Sequence, residues 1–187
     1  RDGTLIGEYT TTSHFDWVGQ AVSSYTEGTS KNMRGYDTGW YQTDTQFELD
    51  YGVLDSQVTY GQTFSYDKTS RQYVGGQYTT VANSIDEFGT VRRTLTSGRV
   101  ERDGTLIGEY TTTSHFDWVG QAVSSYTEGT SKNMRGYDTG WYQTDSQFEL
   151  DYGVLETQVT YGQTFSYDKT GRQYVAGQYT TDPTSID

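Results

Sequence analysis

The chain has 187 residues, no cysteine, a formal net charge of −12 and an isoelectric point near 4.4. The absence of cysteine excludes disulfide bonds and thiolate chemistry. The negative charge predicts repulsion from nucleic acid and from anionic membranes, so neither is expected as a partner. No apolar run reaches the roughly 18 residues that a transmembrane helix needs, so membrane insertion is not expected.

Aromatic residues stand in for the aliphatic residues that this chain largely lacks. There are 18 Tyr, seven Phe and four Trp. Aromatic side chains favour strands and carry large apolar areas. The composition therefore predicts a folded chain with an aromatic interior.

A repeat of 101 residues organises the chain. Residues 1–86 align with residues 102–187, and only eight positions differ. We therefore predict a first repeat at 1–101 and a second, truncated repeat at 102–187, which together form a window on a longer array. A stalk or fibre gains length with each copy, whereas an enzyme gains little, so the copying favours a structural role.

Acidic turns with aromatic neighbours recur about every 17 residues within each repeat, and the runs between them alternate with a period of two, which predicts strands. Examples of the alternation are Val58 with Tyr60, and Phe64 with Tyr66. A subunit of this length is expected to hold two short strands and two turns, so that six subunits fill one repeat. In chain order the turns are HFDWVG (14–19), GYDTGW (35–40), ELDYGV (48–53), SYDKTS (65–70), IDEFGT (85–90) and ERDGTL (101–106).

These patterns predict an all-β fold. Tandem β-hairpin repeats are expected to stack into an elongated or spiralling sheet that buries Tyr, Phe and Trp between neighbouring units. The alternative is two tandem β-sandwich domains, because about 100 residues is a normal size for one sandwich.

The segment with the clearest strand–turn–strand pattern is FSYDKTSRQYVGGQYTT (64–80), which recurs as FSYDKTGRQYVAGQYTT (165–181). Phe64 and Tyr66 are expected to face inward, residues 67–70 to form a turn, and Arg71 to open the return strand. Asp67 is expected to cap the turn or to pair with Arg71.

This unit resembles the tyrosine–aspartate (YD) repeat of bacterial RHS proteins and of teneurin-like cell-surface proteins. The first copy departs from the pattern, because Ser70 stands where the pattern has Gly. The resemblance implies a long twisting sheet of stacked hairpins on a secreted or surface-displayed protein, which in RHS proteins forms a shell around a toxin. The matching residues are Tyr66, Asp67, Arg71, Tyr167, Asp168, Gly171 and Arg172.

Tryptophan supplies the candidate ligand site, since exposed aromatic rings can stack on sugars. The other interpretation of these residues places them in the interior, because a chain poor in Leu and Ile needs aromatic side chains there. The candidates are Trp17, Trp40, Trp118 and Trp141.

The sequence contains only weak metal-binding patterns and no catalytic motif. His14 lies two residues from Asp16, and His115 repeats that position, but no further ligands accompany them. The acidic turns could hold Ca²⁺, although no EF-hand loop is present. No catalytic residue, cofactor or firm metal site is predicted.

The sequence thus predicts a non-catalytic structural repeat of a long extracellular or cell-surface protein, such as a stalk, fibre, sheath or shell wall. Its partners are expected to be neighbouring repeats of the same chain, with self-assembly and glycans as further possibilities. Two alternatives stay open, an adhesin or lectin-like module that uses Trp and Tyr, and an RHS-type shell that encloses a toxin cargo.

Overall fold

A computed structural model describes residues 5–182 and contains only strands and turns. The all-β prediction is confirmed. The strands are β1 (Gly7–Phe15), β2 (Ala21–Lys31), β3 (Asp37–Phe47), β4 (Leu54–Tyr66), β5 (Gln72–Ile85), β6 (Val91–Arg102), β7 (Thr105–Phe116), β8 (Ala122–Lys132), β9 (Asp138–Phe148), β10 (Leu155–Tyr167) and β11 (Gln173–Thr181).

All eleven strands belong to one open antiparallel sheet, in which each strand pairs with its neighbours in sequence. The alternative of two tandem β-sandwich domains is therefore wrong for the described residues. Pairing continues through the junction of the two sequence copies, where β6 hydrogen-bonds to β7. Short turns explain this order, since consecutive antiparallel strands joined by tight turns pair with each other.

The prediction that each subunit of about 17 residues holds two short strands is also wrong. One long strand and one turn occupy that length, because strands of 9 to 14 residues leave room for only one turn.

Turns at the two ends of the strands form two rims. The turns after odd-numbered strands form the first rim, and those after even-numbered strands form the second rim. Most turns contain a glycine with positive φ, such as Gly19 (φ 89°) on the first rim and Gly35 (φ 82°) on the second. Register shifts lie close to the turns, for example between His14 and Phe15, so the middle of the sheet keeps a regular register.

A closed aromatic interior is not present in the described residues, where no hydrophobic side chain is buried. A sheet that is one layer thick has no second layer to cover either face, so its aromatic rings are covered only by neighbours on the same face. Phe64 and Tyr66 are accordingly half-buried and do not face inward as expected. No helix that could cross a membrane occurs among the described residues.

One face of the sheet carries three uninterrupted rows of small or hydroxylated residues, which we name the threonine–tyrosine face. Directly paired residues of an antiparallel sheet share a face, as do residues two apart in one strand. The middle row alternates Tyr and Gly across all eleven strands, from Tyr9 through Gly28 and Tyr41 to Gly162 and Tyr179.

A row made only of Thr runs beside the Tyr–Gly row, from Thr11 to Thr181. Thr hydroxyls hydrogen-bond in pairs across the strands that share a first-rim turn, at 2.9 Å between Thr11 and Thr26 and at 2.8 Å between Thr80 and Thr96. A third row, on the other side of the Tyr–Gly row, places Gly in odd strands and Ser, Thr or Val in even strands. Glycine there lets neighbouring strands approach closely, since a Cβ atom added at Gly39 or Gly76 would lie only 3.0 Å from a backbone carbonyl of the next strand.

The opposite face carries most of the charged residues in the middle of the strands, such as Glu8, Glu27, Arg99 and Glu109, and two of the tryptophans, and we name it the tryptophan face. One of its rows contains Trp40, Gln62, Gln77, Arg99 and Glu109 on five consecutive strands, β3 to β7. The two faces of the sheet therefore differ sharply in charge.

Candidate functional site

The Tyr-Asp motif forms a second-rim turn in which one carboxylate organises the backbone. Asp67 Oδ1 accepts hydrogen bonds from the Thr69 amide at 2.8 Å, the Thr69 hydroxyl at 2.6 Å and the Arg71 amide at 3.0 Å. The Arg71 carbonyl accepts a bond from the Asp67 amide at 3.1 Å. These bonds explain why Asp stands at the start of the turn, since its side chain pairs with the amides that the turn leaves free.

Arg71 joins this turn to the next turn on the second rim. Its Nε donates to Asp67 Oδ2 at 3.2 Å, and a terminal nitrogen donates to Asp103 Oδ1 at 3.0 Å. The Thr69 hydroxyl contributes most to holding the pKa of Asp67 well below its usual value, followed by the Arg71 amide. Asp67 therefore both caps the turn and pairs with Arg71.

The second copy repeats this turn around Asp168. Its Oδ1 accepts from the Thr170 amide and hydroxyl and from the Arg172 amide, at 2.8, 2.6 and 3.0 Å. The Thr170 hydroxyl is the main cause of the lowered pKa of Asp168. Gly171 has a φ of 81° and its counterpart Ser70 has a φ of 64°, so the YD glycine occupies a position that requires left-handed backbone.

Tyrosine of the motif fastens its strand to the preceding second-rim turn. The Tyr66 hydroxyl donates to the Asp37 carbonyl at 2.7 Å, and its ring lies 5.2 Å from that of Tyr36. Lys31 Nζ lies 2.6 Å from Asp37 Oδ1, and this hydrogen bond raises the pKa of Lys31. The equivalent Tyr167 hydroxyl donates to the Asp138 carbonyl at 2.9 Å. Tyr and Asp of the motif thus stabilise two successive turns of one rim.

A glutamine performs the corresponding task on the first rim. Gln20 Nε2 donates to the Leu49 carbonyl at 2.9 Å, and Gln121 Nε2 donates to the Leu150 carbonyl at 2.7 Å. The sequence analysis did not single out Gln20, because its partner lies 29 positions away along the chain.

Four tryptophans occupy two different environments. Trp17 and Trp118 lie in first-rim turns and are 95% and 76% exposed. Trp40 and Trp141 lie in β3 and β9, on the tryptophan face, and are half-buried. The structure therefore separates the four candidate stacking residues into two pairs and does not bring them together.

Of the four tryptophans, Trp40 and Trp141 line cavities on the tryptophan face. A cavity of about 460 Å³ is lined by Trp40, Gln62, Gln77, Arg99 and Glu109, together with nearby residues of β3 to β7. A second, of about 330 Å³, is lined by Trp141, Gln163 and Gln178 among others. Planar polar groups next to an indole ring suit a ligand that has both hydroxyl groups and apolar C–H surfaces.

Tyrosine rings of the threonine–tyrosine face lie over glycines of the preceding strand. A Cβ atom added at Gly28 would lie 2.7 Å from the Tyr41 ring, and one added at Gly129 would lie 2.6 Å from the Tyr142 ring. Burial raises the pKa of Tyr142, as does its proximity to other tyrosines of the row. The tripeptides Tyr-x-Thr in odd strands and Thr-x-Gly in even strands are the sequence signal for this arrangement, which sequence reasoning also missed.

Metal ligation finds no support among residues 5–182, where no three His, Cys, Asp or Glu residues cluster closely enough to hold an ion. Asp16, the partner considered for His14, accepts the Val18 and Gln20 amides at 2.9 and 2.8 Å through Oδ1. Asp86 accepts the Phe88 and Thr90 amides in the same way. The carboxylates of Asp16 and Asp86 therefore hydrogen-bond to the backbone of their own turns, whereas Asp37 pairs with Lys31 and Asp103 with Arg71.

Comparison with known proteins gives little further guidance. No family model matches the chain, and no curated protein matches it. A crystal structure of a porin-like protein from Bacteroides uniformis ATCC 8492 is similar over 96% of each chain, at 12% identity and a TM-score of 0.29. That TM-score is too low to support an argument about fold or function. The resemblance to YD repeats therefore rests on the motif residues alone.

Proposed function

We propose that the chain is a non-catalytic structural module of a long extracellular or cell-surface protein, in which successive 101-residue repeats extend one sheet. One observation carries the proposal. The Thr row and the Tyr–Gly row run through the junction of the two sequence copies without a shift, because Thr96 pairs with Thr112 and Gly98 pairs with Tyr110. An added copy therefore has a matching edge to pair with.

The second rim adds support for a wall or fibre. Tyr66 and Arg71 each connect one turn to a neighbouring turn of the same rim. Such contacts stiffen a sheet along the direction in which its strands stack. Their residues are those of the YD motif, whose family builds long sheets from stacked hairpins, so the resemblance and the contacts favour the same role.

Electron microscopy of lengthened chains tests this proposal. Chains with one and two additional copies of residues 1–101, inserted between residues 101 and 102 so that the order of the strands is kept, are imaged beside the original. Each copy supplies six strands, so the sheet is expected to lengthen by about 29 Å per copy along the stacking direction. Separate beads, or particles that grow equally in all directions, would overturn the proposal.

The same images distinguish a fibre from a shell. A fibre continues to lengthen as copies are added, whereas an RHS-type shell closes on itself around a cavity. Protease digestion of the full-length protein on intact cells tests its location, and a protein that becomes digestible only after lysis argues against surface display.

A further inference from the structure

The cavity beside Trp40 combines the features of a carbohydrate site. The ring of Trp40 lies in one row with the amides of Gln62 and Gln77, and the row continues to Arg99 and Glu109. Sugars present apolar C–H faces that stack on indole and hydroxyl groups that bond to amides, carboxylates and guanidinium groups. The lining residues supply each of these partners within a single cavity of about 460 Å³.

The shape of the site favours a polymer. Further cavities on this face lie on both sides of the first one, beside Glu8 and Thr10 and beside Glu128 and Thr130. Adjacent cavities share residues, since Trp40 lines the first of these neighbours and Glu109 lines the second. They form a groove that crosses the strands, which suits an extended chain lying at right angles to the strands.

Repetition adds a second anchor to the same groove. Trp141, Gln163 and Gln178 recur 101 positions after Trp40, Gln62 and Gln77 and line their own cavity. The two tryptophans lie six strands apart, a distance of about 29 Å. A linear polymer can contact both rings at once, and the second contact then strengthens binding without any new chemistry.

The charge of the residues that line these cavities narrows the class of ligand further. Glu8, Glu27, Glu109 and Glu128 line these cavities, opposed by Arg99. This excess of carboxylates repels uronic acids, sulfated sugars and nucleic acids. A neutral polysaccharide suffers no such repulsion.

We propose that the tryptophan face binds a neutral, linear polysaccharide that lies across the strands and stacks on Trp40 and Trp141. This site does not depend on the structural role proposed above. It narrows the binding hypothesis from the sequence, since Trp17 and Trp118 lie in exposed turns away from these cavities.

Affinity electrophoresis of the whole chain tests the site. The probes are soluble neutral polysaccharides, namely hydroxyethyl cellulose, dextran and galactomannan, with carboxymethyl cellulose as an acidic counterpart of the first. We expect retardation by at least one neutral polymer and none by carboxymethyl cellulose. Equal retardation by the neutral and acidic celluloses, or no retardation by any neutral polymer, would overturn the proposal.

Matched variants locate the site. The double variant Trp40→Ala/Trp141→Ala is expected to lose about tenfold or more in affinity, as removal of a central aromatic anchor commonly does. Trp17→Ala/Trp118→Ala removes the same number of rings from the turns and should bind within about twofold of the original chain. The reverse order of effects would place binding elsewhere and overturn the assignment.

A conservative variant separates ligand contact from folding. Trp40→Tyr/Trp141→Tyr keeps an aromatic face at both positions and should retain more affinity than the alanine pair. Circular dichroism establishes that each variant keeps its strands. Equal loss in the tyrosine and alanine pairs, with unchanged spectra, would argue against stacking as the basis of binding.

Discussion

At the scale of single residues, Ser70 and Gly171 show how one turn accepts two different residues. Both have positive φ, and the turn around each is organised by the same Asp hydrogen bonds. A residue other than Gly is destabilised by about 1–2 kcal/mol in left-handed backbone. Part of this difference is offset, because Gly loses more conformational entropy than other residues on folding. Ser70 is therefore strained where Gly171 is not.

Ser70→Gly is expected to raise the free energy of unfolding by up to about 1 kcal/mol, because it removes this strain. Urea denaturation followed by circular dichroism measures the change. The reciprocal variant Gly171→Ser should lower stability by a similar amount. A loss of stability in Ser70→Gly would show that the Ser side chain contributes more than its backbone strain costs.

Acid should weaken the two Asp turns. The folded-state pKa of Asp67 and of Asp168 lies below the unfolded value near 3.8. A lowered folded pKa gives stability that is present above the unfolded pKa and is lost as the pH falls through the folded pKa. The urea midpoint is therefore expected to fall as the pH drops below about 4.

A variant assigns that acid sensitivity to the turns. Asp67→Asn/Asp168→Asn should be less stable than the original chain at neutral pH and should lose less stability on acidification. Asp55→Asn serves as the control, since this position already tolerates change and is Glu156 in the second copy. An unchanged acid slope in the double variant would show that other carboxylates dominate.

The sequence predicted this turn well because its bonds are local. Asp67 contacts residues two and four positions away. Hydrogen bonds of such short range within a turn can be predicted from the residue types in the turn. The contact of Tyr66 with Asp37 spans 29 positions and depends on which strands are neighbours. Tyr66 was therefore placed in the right motif, but its hydrogen-bond partner could not be read from the sequence.

At the scale of strands, the Tyr–Gly row covers apolar side-chain surface that a hydrophobic core would otherwise cover. Each strand contributes either a ring or the space for one, and burial of the ring raises the pKa of Tyr110. Apolar area is thus covered within one face by the neighbouring strand rather than by a second layer. Packing of Tyr over Gly is a known way to support a strand that lacks a side chain.

Gly98→Ala is expected to lower the free energy of unfolding by about 1–3 kcal/mol, because its methyl group would overlap the Tyr110 ring. Urea denaturation measures the loss. Gly75→Ala is the control: its methyl group would come closest to the Ser65 hydroxyl, which can rotate away, and the second copy already has Ala176 with Ser166, so stability should change by less than about 0.5 kcal/mol.

A double-mutant cycle isolates the ring contact. In a Tyr110→Ala background the added methyl group meets no ring, so Gly98→Ala should cost little there or stabilise the strand. An equal cost in both backgrounds would show that the glycine is needed for its backbone and not for the ring.

Strand content could be predicted from the sequence, but the layering of the sheet could not. Alternation of Val58 and Tyr60 indicates a strand whether the face it marks is covered by a second sheet or by its own neighbours. Whether a second sheet packs on that face is decided by contacts between strands far apart in the sequence, and the local alternation of residues carries no information about such contacts. The aromatic interior was therefore the natural expectation and the part that the structure corrects.

At the scale of the whole molecule, each of the strands described between residues 5 and 182 contacts only the strands before and after it. Stability in such an arrangement is approximately a sum of strand terms and nearest-neighbour terms. Strands in the middle have two neighbours, whereas β1 and β11 each have one in the described structure. Local opening should therefore start from these two strands.

Hydrogen exchange measured by mass spectrometry should show this gradient. Amides of β5, β6 and β7 are expected to be the best protected, and protection should decline toward β1 and β11 because an edge strand can separate by breaking one set of pairings. Uniform protection across all eleven strands would instead indicate a single cooperative unit. It would contradict the nearest-neighbour account.

An added copy provides the decisive comparison. With another 101-residue copy, continued from residue 187 in the order of the first, β11 gains the neighbour that its counterpart β5 has in β6. Protection of β11 should then rise to the level of β5, while that of β1 stays unchanged. Because the sequence of β11 is the same in both chains, a rise confined to that end can come only from pairing with the new strand. Unchanged protection of β11 would mean that the sheet does not continue into the next copy, and the proposed wall would then lack its means of growth.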